Sequence, residues 1–579
     1  MKSSFKEQLN QILNCDLKMT FPTARSMKRK LYFFVGPTNS GKTYSAMQEL
    51  IKADCGIYLA PLRLLALENY EFLKENNINS SLITGEEEIF NEDSTHICST
   101  IEMINFELQT DVCVIDEIQM LEDCDRGWAW VNAILGSPAS KVIMTGSVNA
   151  LDALKQIAEY LGEELEVVKF KRINPLEVLA QPIPFRELSK GTALIAFSRR
   201  DVLDMKSKLS KYFKVSVLYG NLSPEVRKEE AKRFRDGQTD ILIATDAIAM
   251  GLNLPIKIIL FTTDTKFDGV SSRKLTPNEV IQISGRAGRY GHHEVGYVGA
   301  TNKNVLKHID EMFHSPLRTI KPPFKVKATL EQISAFASHL GTKDLTKILY
   351  FFSKNMKFTG PFVATNISNM IELAQIVDGK IALKLEDKYL LAQAPTNTKS
   401  PLLKDAYFSY VNAVISKKPC DYRLSINIKT LAKTELDLLK AEDEVKKISL
   451  YLWLSYKLPE IFYDIENATK HRILVNQYCE DSLKLNLKNL VPNRQNFRKD
   501  NRDGRDHRDD KENRGRRDSK DRKNFRTNKP GGQKESFVKK EKIDDASRPP
   551  RKFHKDTKPQ IEKRQEVKKH KIQKKETYE

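Results

Sequence analysis

The stretch FFVGPTNSGKTY, residues 33–44, most narrows what this chain can fold into. It holds Gly36, Gly41, Lys42 and Thr43 in the spacing G-x-x-x-x-G-K-T, after the apolar run KLYFFVG and before the helical pattern YSAMQELI. A loop of this kind works only where a buried strand hands over to a helix. Its glycines let backbone N–H groups close on phosphate oxygens, and the helix N-terminus adds positive potential. Gly36, Pro37, Thr38, Asn39, Ser40, Gly41, Lys42 and Thr43 therefore read as a phosphate cradle. Lys42 would reach the β and γ phosphates and the Thr43 hydroxyl would hold Mg2+. Alone, the cradle does not separate a kinase, a transporter ATPase, a GTPase or a motor.

The surrounding pattern is a βα alternation that runs twice. GIYLAP, THICST, VCVIDE and KVIMTG read as further buried strands, with LRLLALENYEFLKE and NALDALKQIAEYLG as helices. GTALIAF, KVSVLYG, DILIATD and IKIILFT then restart the strands, with DVLDMKSKLSKYF and PEVRKEEAKRFRDG between them. Such alternation implies mostly parallel sheets with helices on both faces. INPLEVLAQPIPF, 173–185, has three prolines and fits a linker or an extended edge between the halves. From about residue 325 the spacing turns helical, as in TLEQISAFASHLG, DLTKILYFFSKNM and DEVKKISLYLWLSYKLPEIFYDI. The expected organisation is an N-terminal extension over 1–29, α/β domains over 30–172 and 173–324, a mainly helical accessory domain over 325–489 and a basic tail over 490–579.

Charge is concentrated in that tail. Residues 491–579 hold 31 Lys and Arg against 17 Asp and Glu, and the other 490 residues hold 64 against 59. A polyanionic partner suits the net charge of +19, but on the near-neutral body its site must be a local groove. The tail has too few apolar residues to offset chain entropy, so it is expected to be disordered and weakly adhesive to RNA or, failing that, a solubilising linker. Seven scattered cysteines with no C-x-x-C pair read as reduced and buried, with no zinc site. No apolar run is long enough to span a bilayer, and no signal-peptide segment opens the chain.

Three further motifs carry chemistry. In VCVIDEIQM, Asp116 ends a strand where it can order Mg2+, and Glu117 is placed to polarise an attacking water. In QISGRAGRYG, Gln282, Arg286 and Arg289 recur at spacings of four and three and share a helix face. They suit arginine fingers reaching the first domain's nucleotide across a cleft, which would tie hydrolysis to domain closure. In ATDAIAMGLNL, Thr245 could touch a nucleic-acid backbone and Gly251 could allow close approach to the nucleotide.

GPTNSGKTY, LAPLRLLALE, TGEE, DEIQM, ATDAIAMG and GRAGRYG, in this order, resemble superfamily-two helicases. More narrowly they resemble the RNA helicases of the mitochondrial degradosome, the suppressor-of-var type, and their bacterial relatives. The resemblance spans about residues 30–300, with LAQAPTNTKSP, 391–401, adding to it. It implies an α/β fold of two tandem RecA-like parallel-sheet domains followed by a mainly helical domain and the disordered tail. It implies an ATP-dependent RNA helicase using ATP and Mg2+, with a 3′-to-5′ exoribonuclease as partner. Pro61, Arg63, Thr84, Gly85, Ser99 and Thr100 would line a nucleic-acid groove, Ser198 in FSRR would grip the strand from the second domain, and TGS, 145–147, would couple hydrolysis to movement. Read without the resemblance, Ser99, Thr100, Thr145 and Ser147 are equally strand-end caps, and a DNA or hybrid helicase stays open. No aromatic-x-glutamine adenine reader precedes the cradle, so base selectivity is expected to be loose. The Lys-, Asn- and Ile-rich composition and weak presequence character suggest a bacterial cytoplasm ahead of a mitochondrial matrix.

Overall fold

The computed structural model describes residues 13–249, 254–268, 271–288, 294–380 and 383–484. The expected basic tail lies outside them, as do residues 1–12 of the expected N-terminal extension.

The first sheet has eight strands, ordered across it as Glu88–Ile89, Ser80–Ile83, His96–Thr100, Gly56–Ala60, Thr110–Ile115, Ala139–Gly146, Lys30–Val35 and Leu165–Lys169. Every neighbouring pair is parallel except the hairpin at Glu88–Ile89. Lys30–Val35 lies second from one edge, with Phe33 opposite Met144 on one side and Val167 on the other. All three strands feed their C-terminal ends toward the phosphate cradle, the crevice where open α/β sheets bind ligands. The apolar run Gly127–Gly136 is a helix beneath this end, and its fully buried Trp130 donates from Nε1 to the Asp116 carbonyl at 3.0 Å. Arg29, also buried, donates to the carbonyls of Ile134 (2.8 Å), Leu135 (3.2 Å) and Ser137 (2.7 Å) and pairs with Glu163 at 2.8 Å. It thereby satisfies the helix's open C-terminal carbonyls.

The second sheet is six parallel strands in the order Leu176–Val178, Gly296–Ala300, Ile258–Phe261, Thr192–Ile195, Ile241–Ala244 and Val215–Leu218. The proline-rich 173–185 segment supplies its edge strand, an edge being where a sheet tolerates Pro. Helix Pro277–Ser284 follows a capping box of Thr276 and Glu279 and points its C-terminal end at the first domain.

Among the described residues after 326, seven helices dominate, the longest being Glu435–Lys457 and Ile465–Lys484. Their apolar faces share one core with the second sheet, in which Leu194, Val217 and Ile243 pack with Tyr407, Leu450 and Phe462. The region is not purely helical. Phe324–Val326 pairs with Phe362–Ala364, and Lys357–Phe358 pairs with Asn14–Cys15. Phe324, Val326 and Phe362 join the first domain's core, so this region braces both halves. The seven cysteines are free, but only Cys98, Cys113 and Cys479 are buried. Cys124 is exposed because it sits in the loop ahead of Gly127 rather than in a strand, contrary to the expectation for the set. No described helix is long and apolar enough to cross a membrane.

Candidate nucleotide site and nucleic-acid groove

The cradle is built by backbone geometry. Gly36 donates to the Gly146 carbonyl at 3.0 Å, and a Cβ there would sit 2.8 Å from the Phe170 carbonyl oxygen. Asn39 and Gly41 take positive φ of 59° and 81°, turning the loop into helix Lys42–Ile51. Lys42 Nζ lies 3.2 Å from the Pro37 carbonyl, across the hollow of the loop. Desolvation pushes its pKa down, while Glu117 and Asp116 oppose that fall. Ser40 Oγ is buried and has no hydrogen-bond partner.

Asp116 is fixed from several sides. Its Oδ1 accepts from Thr43 Oγ1 at 3.2 Å, from the Glu117 N–H at 2.9 Å and from Thr145 Oγ1, and its Oδ2 accepts from Tyr58 at 2.9 Å. Burial, then the Asp116 charge, raises the Tyr58 pKa well above its ordinary value, so the phenol stays a donor. Glu117 has a φ of 53°, an uncommon conformation for a non-glycine residue and one that clusters at functional sites. Gln119 Nε2 donates to its carboxylate, and Gln119 Oε1 accepts from the Ser147 N–H at 3.3 Å. The Asp-Glu loop is thus wired to the strand end that carries Thr145 and Ser147.

The second domain closes on this cradle. Arg286 Nη2 lies 3.8 Å from Glu117 Oε1 and also donates to the Ala249 carbonyl. Its Nε is buried without a partner, and burial lowers its pKa against the pull of Glu117 and Asp116. Gln282 lines the same cleft, about 800 Å³, with Lys42, Glu117 and Glu279. Asn39 Nδ2 donates across it to the Gly285 carbonyl at 3.0 Å. Arg172, from the crossing segment, donates to the Thr38 carbonyl at 2.8 Å, to Gly285 at 3.0 Å and to Ala287. Burial lowers the Arg172 pKa to about 10. Arg289 and Gly251 lie outside the described residues.

Sequence reasoning missed Arg172 and Gly285. Arg172 binds backbone carbonyls, which leave no mark in a motif. Gly285 sits in plain view, but its need comes from Thr38, whose Cβ would lie 2.7 Å from a Cβ at 285.

The groove residues are placed less uniformly. Arg63 pairs with Glu86 at 2.7 Å, with Glu87 at 3.2 Å and with Glu225 of the second domain. Arg472 of the last helix approaches Glu86 at 3.8 Å and Glu225 at 3.9 Å. The Pro61 carbonyl accepts from Arg126 at 2.6 Å, and Gly85 faces Trp453 of the helical region. Thr84 is buried and bonded within its own turn to Glu87. Ser99, Thr100 and Thr245 are buried at strand ends, as caps would be. Ser198 caps helix Arg199–Leu209 through the Asp201 N–H at 3.0 Å. Its neighbour Arg199 is held at 2.9 Å by buried Glu442, whose carboxyl burial pushes up against the pull of Arg199 and Tyr219. The structure therefore gathers Arg63 and Gly85 where both domains and the helical region meet, buries Thr84 and ties the Ser198 hydroxyl to the start of its own helix.

Two RecA-like parallel-sheet domains, a phosphate cradle on one and an arginine from the other facing the Asp-Glu carboxylates, define a helicase-type nucleoside-triphosphate hydrolase. Residues 18–170 match the DEXQ-box helicase domain of Suv3, 174–291 the helicase conserved C-terminal domain, and 438–485 the ATP-dependent RNA helicase SUV3 C-terminal domain. The ATP-dependent RNA helicase SUV3, mitochondrial, of Candida albicans is 34% identical over 501 residues, covering 80% of this chain and 69% of that protein. The mitochondrial DExH-box ATP-dependent RNA helicase DExH16 of Arabidopsis thaliana is 34% identical over 477 residues, covering 80% and 83%. Mitochondrial SUPV3L1 of Gallus gallus is 35% identical over 466 residues, covering 77% and 58%. The chain belongs to the SUV3 family of ATP-dependent RNA helicases. These relatives are all named as mitochondrial, which overturns the expectation of a bacterial cytoplasm. That expectation leaned on Lys, Asn and Ile usage, which follows genome base content rather than compartment.

Proposed function

We propose that this ATP-dependent RNA helicase unwinds structured transcripts by cycles of cleft closure, in RNA turnover alongside a 3′-to-5′ exoribonuclease. The observation that carries the motor reading is Arg286 lying opposite Glu117 across the cleft, on a helix end that touches the P-loop. Lys42 and the loop N–H groups would grip the phosphates of ATP. Glu117, oriented by Gln119, would take the proton of the attacking water, and Arg286 would offset charge gathering on the transferred phosphoryl group only when the cleft is shut. The unpartnered Ser40 Oγ and Arg286 Nε fit a site built to receive oxygen atoms.

Thr43 and Asp116 form a hard-oxygen pair suited to Mg2+, which keeps waters and substrate oxygens in such sites rather than an all-protein cage. When bound, the ion would neutralise phosphate charge. Arg289 is assigned the same finger role as Arg286, Gln282 a sensing role at the cleft and Gly251 close approach to the nucleotide. Pro61, Arg63 and Gly85 would contact the RNA backbone, giving sequence-tolerant, salt-sensitive binding. Thr84, Ser99, Thr100, Ser198 and Thr245 would shape the groove through the backbone they hold. The names of the relatives support a mitochondrial setting.

The test is steady-state ATP hydrolysis without nucleic acid, with single-stranded RNA and with matched DNA, using Lys42→Ala as the blank. RNA should stimulate strongly and DNA weakly, and Lys42→Ala should keep its fold and lose ATP-driven unwinding. Unwinding by that variant at the wild-type rate would refute the mechanism.

A further inference from the structure

A cavity of about 580 Å³ lies apart from the nucleotide cleft, where the first sheet domain meets the helical region. Its first-domain wall is Asp125 and Trp128, just after the Asp-Glu loop, and its opposite wall comes from 366–372 and 392–399. Its size falls in the range of small-molecule pockets.

The lining is rich in side-chain amides whose hydrogen bonds are half used. The Asn366 and Asn397 carbonyl oxygens each accept a backbone N–H, from Ser368 and Lys399, both at 3.0 Å. The Asn369 amide NH2 donates to the Thr396 carbonyl at 3.1 Å. Donors on Asn366 and Asn397 and an acceptor on Asn369 are therefore left over among the described residues. Thr396 is 8% exposed, and its hydroxyl has no partner. A buried polar atom left unmet is costly, and a ligand that meets it recovers that cost.

Charge argues against a phosphate as occupant. Lys327 and Lys399 are matched by Asp125 and Glu372 around the cavity. The Lys327 amine is already engaged, 4.8 Å over the Trp128 ring and 3.0 Å from Gln393 Oε1, and burial lowers its pKa to about 8. A neutral wall that mixes donors and acceptors instead suits the edge of a nucleobase.

The position is the second strand of the argument. Pro395 borders both this cavity and the hollow that holds Arg63 and Arg472. Arg126, between the cavity residues Asp125 and Trp128, donates to the Pro61 carbonyl. A strand lying on Pro61 and Arg63 would pass the cavity mouth.

We propose that this cavity receives one unstacked base of the bound RNA strand, held by the amides of Asn366, Asn369 and Asn397 and the Thr396 hydroxyl. The inference rests on the RNA-helicase reading. It makes the helical region a part of the RNA track rather than a brace alone.

The experiment walks a single abasic site along a short single-stranded RNA and measures its affinity for the full chain by fluorescence anisotropy. Wild type should show one position at which loss of the base weakens binding about tenfold, as expected for one base contact. Thr396→Val removes a hydroxyl that bonds to nothing, so its melting temperature should not fall. Asn397→Asp keeps the oxygen that caps the turn and replaces the donor. In both variants the penalty at that position should shrink to less than threefold while the other positions stay unchanged. A pure charge effect of the introduced carboxylate would weaken intact and abasic RNA equally and leave the penalty in place, overturning the proposal. A flat wild-type profile with tight RNA binding would overturn it too. If wild type binds no RNA, the helicase reading itself fails.

Discussion

Gly285→Ala isolates cleft closure from the rest of the machine. The methyl group would sit 2.7 Å from Thr38 Cβ and 2.8 Å from its Oγ1. Ordinary carbon contacts need about 3.5–4 Å, so the two domains must part by about 1 Å. Rotating the Thr38 side chain gives no relief, because its Cβ is fixed by the loop backbone. The helix end bearing Gly285 also bears Arg286, so the arginine withdraws from Glu117 by a similar distance. A displacement of that size costs on the order of 100-fold in rate, or about 2.7 kcal/mol of barrier. RNA-stimulated ATP hydrolysis should therefore lose about two orders of magnitude in kcat. The thermal midpoint should move little, since neither core is touched. Thr38→Gly in the same chain should recover part of the loss, a coupling expected only if the two positions meet. A kcat for Gly285→Ala within twofold of wild type would refute the reasoning.

Other perturbations read different parts of the fold. Arg29→Met leaves the Ile134 carbonyl without its donor and takes from Glu163 one of its two arginines, Arg25 remaining, so stability should fall by about 1–3 kcal/mol, visible in denaturant titration. For Glu279, burial favours the neutral acid, but Arg273, the Thr276 N–H and Lys266 outweigh it and hold the carboxyl at about 2 against an ordinary 4.5. Its folded pKa is depressed, so its contribution is present above pH 4.5 and is lost as pH falls toward about 2. Glu279→Gln should flatten that part of an acid-unfolding curve, and an unchanged curve would refute the assignment. Cutting the chain at Val491 should weaken RNA affinity and lower its salt slope while sparing hydrolysis on saturating RNA. Unchanged affinity at low salt would instead make the tail a solubilising linker.

Strong local periodicity made much of the architecture legible. KLYFFVG, VCVIDE and DILIATD are apolar on both faces because their strands are covered on both sides, and the P-loop needs no partner to be recognised. Short or half-buried pieces were not legible. Leu165–Lys169 is a half-exposed edge, and Gly127–Gly136 is so uniformly apolar that no face distinguishes helix from strand. At the site, residues acting through their own side chains on a local motif could be read, as with Lys42 and Asp116. Residues defined by a distant surface could not, since Gly285 answers to Thr38, and Arg63 is legible for the groove without its partner Glu225 across the domains. The hydroxyls of Ser198 and Thr245 show the converse: their motif spacing is real, but local capping satisfies them.

The segment joining the two sheets is short. The first sheet's last strand ends at Lys169 and the second sheet's edge strand begins at Leu176. Fully drawn out, that leash spans about 20–25 Å. The two walls of the nucleotide cleft therefore meet each other at an effective concentration in the millimolar range or above, whatever the dilution of the protein. Arg172, in the middle of the leash, shortens the reach further while it grips both sides. Reopening is confined to a narrow excursion, so each encounter of Arg286 with Glu117 is a return over a short path rather than a search.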